Sequence, residues 1–454
     1  MLSQAAGTKG TVVNRKSKHI VIVGGGYVGL YTGLRLQRRL RRELRDGSVR
    51  VTLIDPRSYM TYQPFLPEVA AGNISPRHVV TPLRRVLPKI RILNGMVTKV
   101  HHERRTLVFQ PPVGQARELD YDIIVMAAGS ISRTLPIPGL ADAAIGFKTI
   151  GEAIALRNRV LALLDRADSS DDPDVRRRAL TFVVVGGGFA GIEVLAELQD
   201  MTSDAIKYYP TIEEKDLRWV LIEASDRILP EVGPEMGEWT AEQLRERGIE
   251  LKMKTLLESC EGGLVKTSDG DEFEAATIVW TAGVKASPVV DSTDLPLDEN
   301  GRIKTTTRLT VDGVEGAFAA GDIAGVPDVT QPGKYCAPNA QHAVRQAKVL
   351  ADNIVAYLRG RELKEYRHRY VGSVAGLGLH RGVANVYGIK LRGFPAWFTH
   401  RTYHLLRIPT FNRKARVVMD WTLALFFRRE TISLGELENP REAFRAAALS
   451  GRKR

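Results

Sequence analysis

Cysteine is almost absent: the 454 residues hold two, Cys260 and Cys336. Neither belongs to a C-x-x-C or C-x4-C pair, so a disulfide framework and thiol–disulfide redox chemistry are excluded. Each is expected to be a small buried residue. Long apolar runs are missing too. The one near the C-terminus, from Val417 to Phe427, covers about eleven residues where a bilayer span needs roughly twenty, and it contains Asp420. The first eighteen residues have no acid and no apolar segment of the secretory kind, which leaves a transit peptide open and favours a disordered lead-in. Acids are otherwise scarce in one place only. From 359 to 416 there are thirteen Lys or Arg against Glu362 and Glu365, so this stretch carries +11 of the chain's net +13. No nucleic-acid module accompanies that charge, and no nucleic-acid partner is expected. The length suits two or three domains, and 44% hydrophobic content is ordinary for a globular chain.

Against these absences stands a repeated glycine signature. Gly24-Gly25-Gly26-Tyr27-Val28-Gly29 follows the apolar strand His-Ile-Val-Ile-Val, and Gly186-Gly187-Gly188-Phe189-Ala190-Gly191 follows Phe-Val-Val-Val. In Gly-x-Gly-x-x-Gly the first glycine makes a tight turn, the second lets a pyrophosphate reach the backbone, and the third packs helix on strand. The phosphates meet the unpaired N–H groups and positive dipole end of the helix. Two such sites imply two dinucleotides, a flavin and a nicotinamide facing one another.

A second apolar strand after each signature ends in an acid, Asp55 and Glu223. A carboxylate there accepts hydrogen bonds from adenosine ribose hydroxyls and repels a 2′-phosphate. Ala224-Ser225 follow Glu223 rather than Arg, so NADH is expected over NADPH, with Arg227 close by. Ala-Gly321-Asp322 ends a late strand in the pattern that binds the ribitol of FAD, while Ala128-Gly129 and Gly283 end matching strands at two crossovers. The expected fold class is α/β: two Rossmann-like dinucleotide-binding domains in the flavoprotein disulfide-reductase arrangement. The FAD domain is split into 18–145 and 284–370 around an NADH domain at 146–283, after a lead-in at 1–17. A C-terminal membrane-associating helical region completes the chain at 371–454.

That last region interleaves its positive charge with Phe394, Trp397, Phe398, Leu405 and Leu406, whose spacing puts them on one helical face. His400, Arg401 and His404 fall on others. From 394 to 429 the expectation is a monotopic anchor lying in an anionic phospholipid surface, with packing on the core or a dimer interface as the alternative.

These features together resemble the type II NADH:quinone oxidoreductases, single-subunit respiratory dehydrogenases that do not pump protons. The resemblance rests on 24–29, Tyr62-Gln-Pro-Phe-Leu-Pro67, 186–193, Trp280-Thr-Ala-Gly-Val284, 319–322 and Ala337-Pro-Asn-Ala-Gln-His342, and spans nearly the whole chain. It implies non-covalent FAD, NADH as substrate and a membrane quinone as acceptor. It also implies a homodimer on the cytoplasmic face of the plasma membrane, no metal and no electrogenic step. FAD is then expected on Gly24, Gly25, Gly26, Tyr27, Val28, Gly29, Asp55, Ala128, Gly321, Asp322, Ala340 and Gln341. NAD is expected on Gly186, Gly188, Phe189, Ala190, Gly191, Glu193, Glu223 and Gly283.

The helix opening at Ala340-Gln341 would lie beneath the flavin pyrimidine, its dipole favouring a negatively charged reduced ring, with Gln341 donating to the quinone. The family usually has glutamine where this chain has Arg345. Gln346 stands beside it and is the second expected quinone contact. Glu193 is implied in nicotinamide contact or proton delivery, against a plain role complementing the helix dipole. Two rivals remain: a soluble NADH-dependent ferredoxin or rubredoxin reductase, and a flavoprotein that acts as an NADH-responsive switch.

Overall fold

The computed structural model describes residues 17–368, 371–427, 429–434 and 441–450. Of the expected lead-in only Ser17 falls inside these limits, and Arg428, within the expected anchor, falls outside them. The chain forms two compact units. One comprises 17–60, 82–130 and 286–368; the other comprises 61–81, 131–285 and the described residues after 370.

Helices that matter to function are α1 (Tyr27–Arg39), α2 (Leu66–Ala70), α3 (Phe189–Ala205), α4 (Ala340–Leu358), α5 (Phe394–Arg407) and α6 (Phe411–Phe426).

The first unit is built on a five-stranded parallel sheet. Its spatial order is Ala317–Ala319, Ile123–Met126, Lys18–Val23, Val49–Asp55 and Arg91–Asn94. The chain's first strand sits in the middle with later strands on either side, the doubly wound arrangement, and the switch point lies beside it. Ile20, Val21, Ile22, Leu53, Ile124 and Val125 are fully buried, as near-continuous apolar strands covered on both faces require.

The second unit repeats the plan. Its parallel sheet runs Ile249–Met253, Arg218–Glu223, Thr181–Val185, Thr277–Trp280, Ala144–Gly146. Here the strand that enters first in the chain fills the outermost place, next to Thr277–Trp280. A three-stranded antiparallel sheet (Gly372–Gly376, Gly382–Val386, Ile389–Arg392) and helices α5 and α6 also belong to this unit.

The partition departs from the expected boundaries in three respects. Residues 61–81 and residues 131–145 belong to the second unit although they lie inside the expected FAD segment, and the C-terminal region is part of that unit rather than a region apart. Helix α2 packs on the helix Ile150–Asp168 and on α3, and a buried carboxylate ties it to the C-terminal helices. Glu68 of α2 accepts from Arg401 Nη2 of α5 and from Trp421 Nε1 of α6, both at 2.8 Å on Oε2. Arg401 is sandwiched between Trp397 and Trp421, its guanidinium carbon 4.3 and 4.8 Å from their ring centroids. Trp397 is half-buried beside Arg401, and its ring meets that of Phe394 with centroids 5.4 Å apart, as the helical spacing grouped them. A guanidinium between two indoles gains cation–π attraction.

Asp420, the polar residue inside the apolar run of α6, has the same logic. Its Oδ2 takes the Ser75 amide at 3.1 Å and His78 Nδ1 at 2.5 Å. Beyond these anchors both helices leave their apolar sides uncovered: Phe394, Phe398 and Leu406 on α5, and Phe411, Met419, Leu423, Leu425 and Phe426 on α6, are all exposed. Among the described residues no helix is long and apolar enough to cross a membrane.

Candidate active site

The two glycine signatures fold into the same device. Gly24 and Gly186 sit at φ +105° and +110°, and a Cβ at Gly24 would come within 2.4 Å of the Ala127 carbonyl, one at Gly186 within 2.8 Å of Thr281 Oγ1. Only glycine lets the turn hug the neighbouring strand end at the switch point. At Gly29 and Gly191 a Cβ would lie 1.9 Å from the carbonyl oxygen of Gly24 and Gly186 respectively, so helix α1 or α3 packs directly on its own turn. At Gly26 and Gly188, the helix N-caps, a Cβ would meet nothing within 4 Å and no side chain caps the first turn. Each helix therefore presents its leading amides over a small open cradle, which fits a dinucleotide pyrophosphate.

Each cradle is closed by its strand-end acid. Asp55 Oδ2 accepts from Gly25 N–H at 2.6 Å and Oδ1 from Arg57 N–H at 2.7 Å. Burial pushes the Asp55 carboxyl above its ordinary range, opposed by those two amides and by the Arg57 charge. In the second unit Glu223 Oε2 accepts from Gly187 N–H, while Oε1 takes both the amide and the hydroxyl of Ser225 at 2.7 and 2.6 Å. Ser225, significant in the sequence only for not being arginine, thus holds the carboxylate in place.

The remaining residues expected to hold FAD lie in the first unit. Ala128 lies against Gly24, and a Cβ at Gly321 would touch Val28 of α1 at 2.7 Å and Ala343 of α4 at 3.8 Å. Ser130 Oγ donates to Asp322 Oδ2 at 2.5 Å. Helix α4 begins at Ala340, capped by Asn339, whose side chain accepts from the His342 amide at 2.9 Å. Gln341 lies in that first turn, half-buried.

Gln346 departs from expectation. It is fully buried, with Oε1 accepting from the Gly321 amide at 2.7 Å, so it braces the Gly321-Asp322 turn instead of standing beside Gln341 at a quinone. Five residues along a helix turn a side chain by roughly 140°, away from the Gln341 face. His342 is also buried. Its Nδ1 lies 2.9 Å from Tyr366 OH, and burial with the His368 charge lowers its pKa to about 4, which keeps it neutral. Cys336 and Cys260 are both buried, and burial pushes the Cys336 thiol up to about 11.

In the second unit Gly283 ends its strand at φ +91°, while Phe189 and Ala190 form the first turn of α3. Glu193, in the next turn, is buried and meets residues that no motif pointed to. Its Oε1 accepts from Gly376 N–H at 2.9 Å and lies 3.0 Å from His400 Nε2 of α5. One turn further, Glu197 is buried with Oε2 accepting from Asn73 Nδ2 at 2.8 Å. Burial first, then the Glu68 charge, pushes Glu197 up to about 7, against the pull of Arg429 and Arg401. The four-residue spacing of Glu193 and Glu197 was the available signal for this acidic face; Asn73, Glu68 and His400 lie too far along the chain to show.

Residues 18–347 match the pyridine nucleotide-disulphide oxidoreductase family. The chain is 30% identical, over 425 residues, to the type II NADH:quinone oxidoreductase Ndh of Mycobacterium tuberculosis, an overlap covering 90% of this chain and 88% of that one. The chain belongs to the type II NADH:quinone oxidoreductases. A Staphylococcus haemolyticus member is 29% identical over 84% of this chain and 92% of its own length. The structure of NDH2 from Plasmodium falciparum in complex with NADH shares the fold, with TM-score 0.85 at 18% identity, covering 92% of this chain and all of that one. As a type II NADH:quinone oxidoreductase the protein is an FAD-dependent enzyme that passes electrons from NADH to a quinone.

Both acids of the second unit lend themselves to measurement. Glu223→Gln, followed by kcat/KM for both nicotinamides, lowers the preference for NADH over NADPH by on the order of tenfold, because one charge opposing a 2′-phosphate is lost; an unchanged ratio contradicts the assignment. Glu197, with a folded-state pKa above the ordinary 4.5, stabilises the fold below pH 4.5 and withdraws that contribution as pH rises through about 7. Glu197→Gln keeps an acceptor for Asn73 without titrating. Its stability relative to the parent should therefore climb between about pH 5 and 8, by up to a few kcal/mol. Parallel unfolding curves across that range would count against a raised Glu197.

Proposed function

We propose that this enzyme works as a monotopic dehydrogenase, taking electrons from NADH in water and delivering them to a quinone that enters from the membrane on which α5 and α6 lie. The observation that carries this is the two-sidedness of those helices. Their polar sides are pinned by Glu68 and Asp420, while Phe394, Phe398, Leu406, Leu425 and Phe426 stand exposed. Burying each large apolar side chain contributes about 1.5–3 kcal/mol, and each basic residue near an anionic leaflet about 1 kcal/mol. The lysines and arginines of 359–416 suit the cytoplasmic leaflet.

Bound FAD supplies a relay that accepts two electrons and gives them up again. The leading amides of α1 and α3 hold the two pyrophosphates, and Asp55 and Glu223 take the adenosine riboses. The α4 N-terminus, with Ala340 and Gln341, supports negative charge on the reduced ring. Gln341 donates to the quinone carbonyl, and Glu193 carries a proton in the nicotinamide-side machinery. The reaction proposed here moves no protons across the bilayer. A homodimer is part of the same proposal, expected as a two-chain mass in detergent.

The triple variant Phe394→Ser, Phe398→Ser, Leu406→Ser should retain FAD and reduce a soluble short-chain quinone at the parental rate. It should lose co-sedimentation with anionic vesicles and fall at least about tenfold in reducing a long-chain quinone held in them. Equal vesicle activity in variant and parent would refute the membrane assignment. Fast electron delivery to a ferredoxin with none to quinones would favour the soluble reductase.

A further inference from the structure

The Glu193 carboxyl is held from two elements outside its own helix, and both meet the same oxygen. Gly376 ends the strand Gly372–Gly376 with its N–H on Oε1, and His400 of α5 brings Nε2 to 3.0 Å from it. A Cβ at Gly376 would lie 3.5 Å from His400 Cε1 and 4.0 Å from Glu193 Oε1, so the strand backbone closes one side of the pair. The His400 and Glu193 side chains are 6% and 11% exposed, and the buried His400 Nε2 makes no hydrogen bond, its 3.0 Å approach to Glu193 Oε1 being a close charge contact off hydrogen-bond geometry. A carboxylate in such surroundings persists only with a partner.

The neighbouring charges are committed elsewhere. Glu68 is paired with Arg401, and Asp200 with Arg247, which also donates to the Leu377 carbonyl beside this strand. Glu197 takes Asn73. His404, one turn along α5, packs edge-on against His400 with centroids 4.6 Å apart, and its Nδ1 lies 3.1 Å from Tyr62 OH. Burial, then the charges of His400 and Arg407, push His404 well below the ordinary imidazole value, so it stays neutral and does not compete as a cation. His400 is the imidazole that faces Glu193.

We propose that His400 is the positioning residue for Glu193, holding the carboxyl by Oε1 so that Oε2 exchanges the proton, and balancing the charge left when that proton departs. This rests on Glu193 being a proton carrier. NADH brings two electrons and one hydrogen, whereas a quinol needs two electrons and two protons. The missing proton comes from water through Glu193. Its Oε2–H bond breaks, the proton ends on a quinol oxygen, and a solvent proton re-forms the bond; no further oxidant or reductant is involved. Helix α5 thereby has two sides with separate duties, an imidazole against Glu193 and an apolar surface outward.

The test uses the FAD-loaded enzyme in four forms beside the parent: His400→Leu, His400→Gln, Glu193→Gln and the double variant Glu193→Gln/His400→Leu. Turnover with a short-chain quinone is followed from about pH 5.5 to 9, and NAD⁺ affinity of the oxidised enzyme is titrated over the same range. His400→Leu should lower kcat about tenfold or more with little change in KM for NADH, and shift the pH profile by about one unit, with NAD⁺ affinity following. His400→Gln, whose amide can donate to Oε1, should recover most of the plateau while its profile stays displaced. In the Glu193→Gln background, His400→Leu should add nothing.

Parental pH profiles in both His400 variants, or a full additional loss in the double variant, overturn the proposal. If His400→Leu does not hold FAD, the His400→Gln profile decides alone. A parental Glu193→Gln enzyme sinks the proton-carrier role itself, and with it the role of His400. An impaired Glu193→Gln beside parental His400 variants sinks only the latter.

Discussion

One buried carboxylate organises the part of this enzyme that distinguishes it from a generic two-nucleotide flavoprotein. Glu68 sits in a short helix with both its partners on Oε2, Arg401 from α5 and Trp421 from α6. Removing one member of a buried charged pair typically costs about 3–5 kcal/mol, because the survivor is left without compensation. That penalty fixes which side of α5 and α6 faces inward. With Glu68 and Asp420 taking the polar sides, the apolar sides have nowhere to go but out. The same orientation brings His400 to Glu193. The exposed apolar surface of α5 and α6 and the His400–Glu193 contact are two consequences of one docking geometry.

The nucleotide machinery follows a different principle: duplication of a local device. Turn, helix and strand-end acid recur with matching geometry in both units, down to a carbonyl 1.9 Å from the position a Cβ would take at Gly29 and Gly191. The duplicates differ in how the acid is held: Asp55 is gripped by backbone amides alone, whereas Glu223 is additionally clasped by the Ser225 hydroxyl.

What was legible in the chain divides along that line. The glycine turns, their acids, the split of the first sheet and the α4 start were readable because each depends on residues close in sequence and on strand or helix periodicity. The Glu68 cluster was not, since its partners lie 333 and 353 residues away and Glu68 itself follows directly on a Tyr-Gln-Pro-Phe-Leu-Pro stretch noted only for resemblance. Helical spacing grouped Trp397 with Phe394, and their rings do meet; that Arg401 lies between Trp397 and Trp421 was not legible, because Trp421 comes from another helix. Gln346 was placed by adjacency to Arg345, whereas its position five residues past Gln341 turns it toward Gly321. The glycine signatures and their strand-end acids share one geometry in the two units; the neighbours that Glu193 meets, Gly376 and His400, were found only in three dimensions.

The docking of α5 and α6 is open to direct measurement by amide hydrogen exchange in the FAD-loaded Glu68→Ala variant. Loss of the carboxylate should speed exchange in α5 and α6 by about a hundredfold, a local opening of roughly 3 kcal/mol, while the two parallel sheets keep their protection. Parental protection throughout α5 and α6 would mean that something other than Glu68 holds them, and would contradict its organising role.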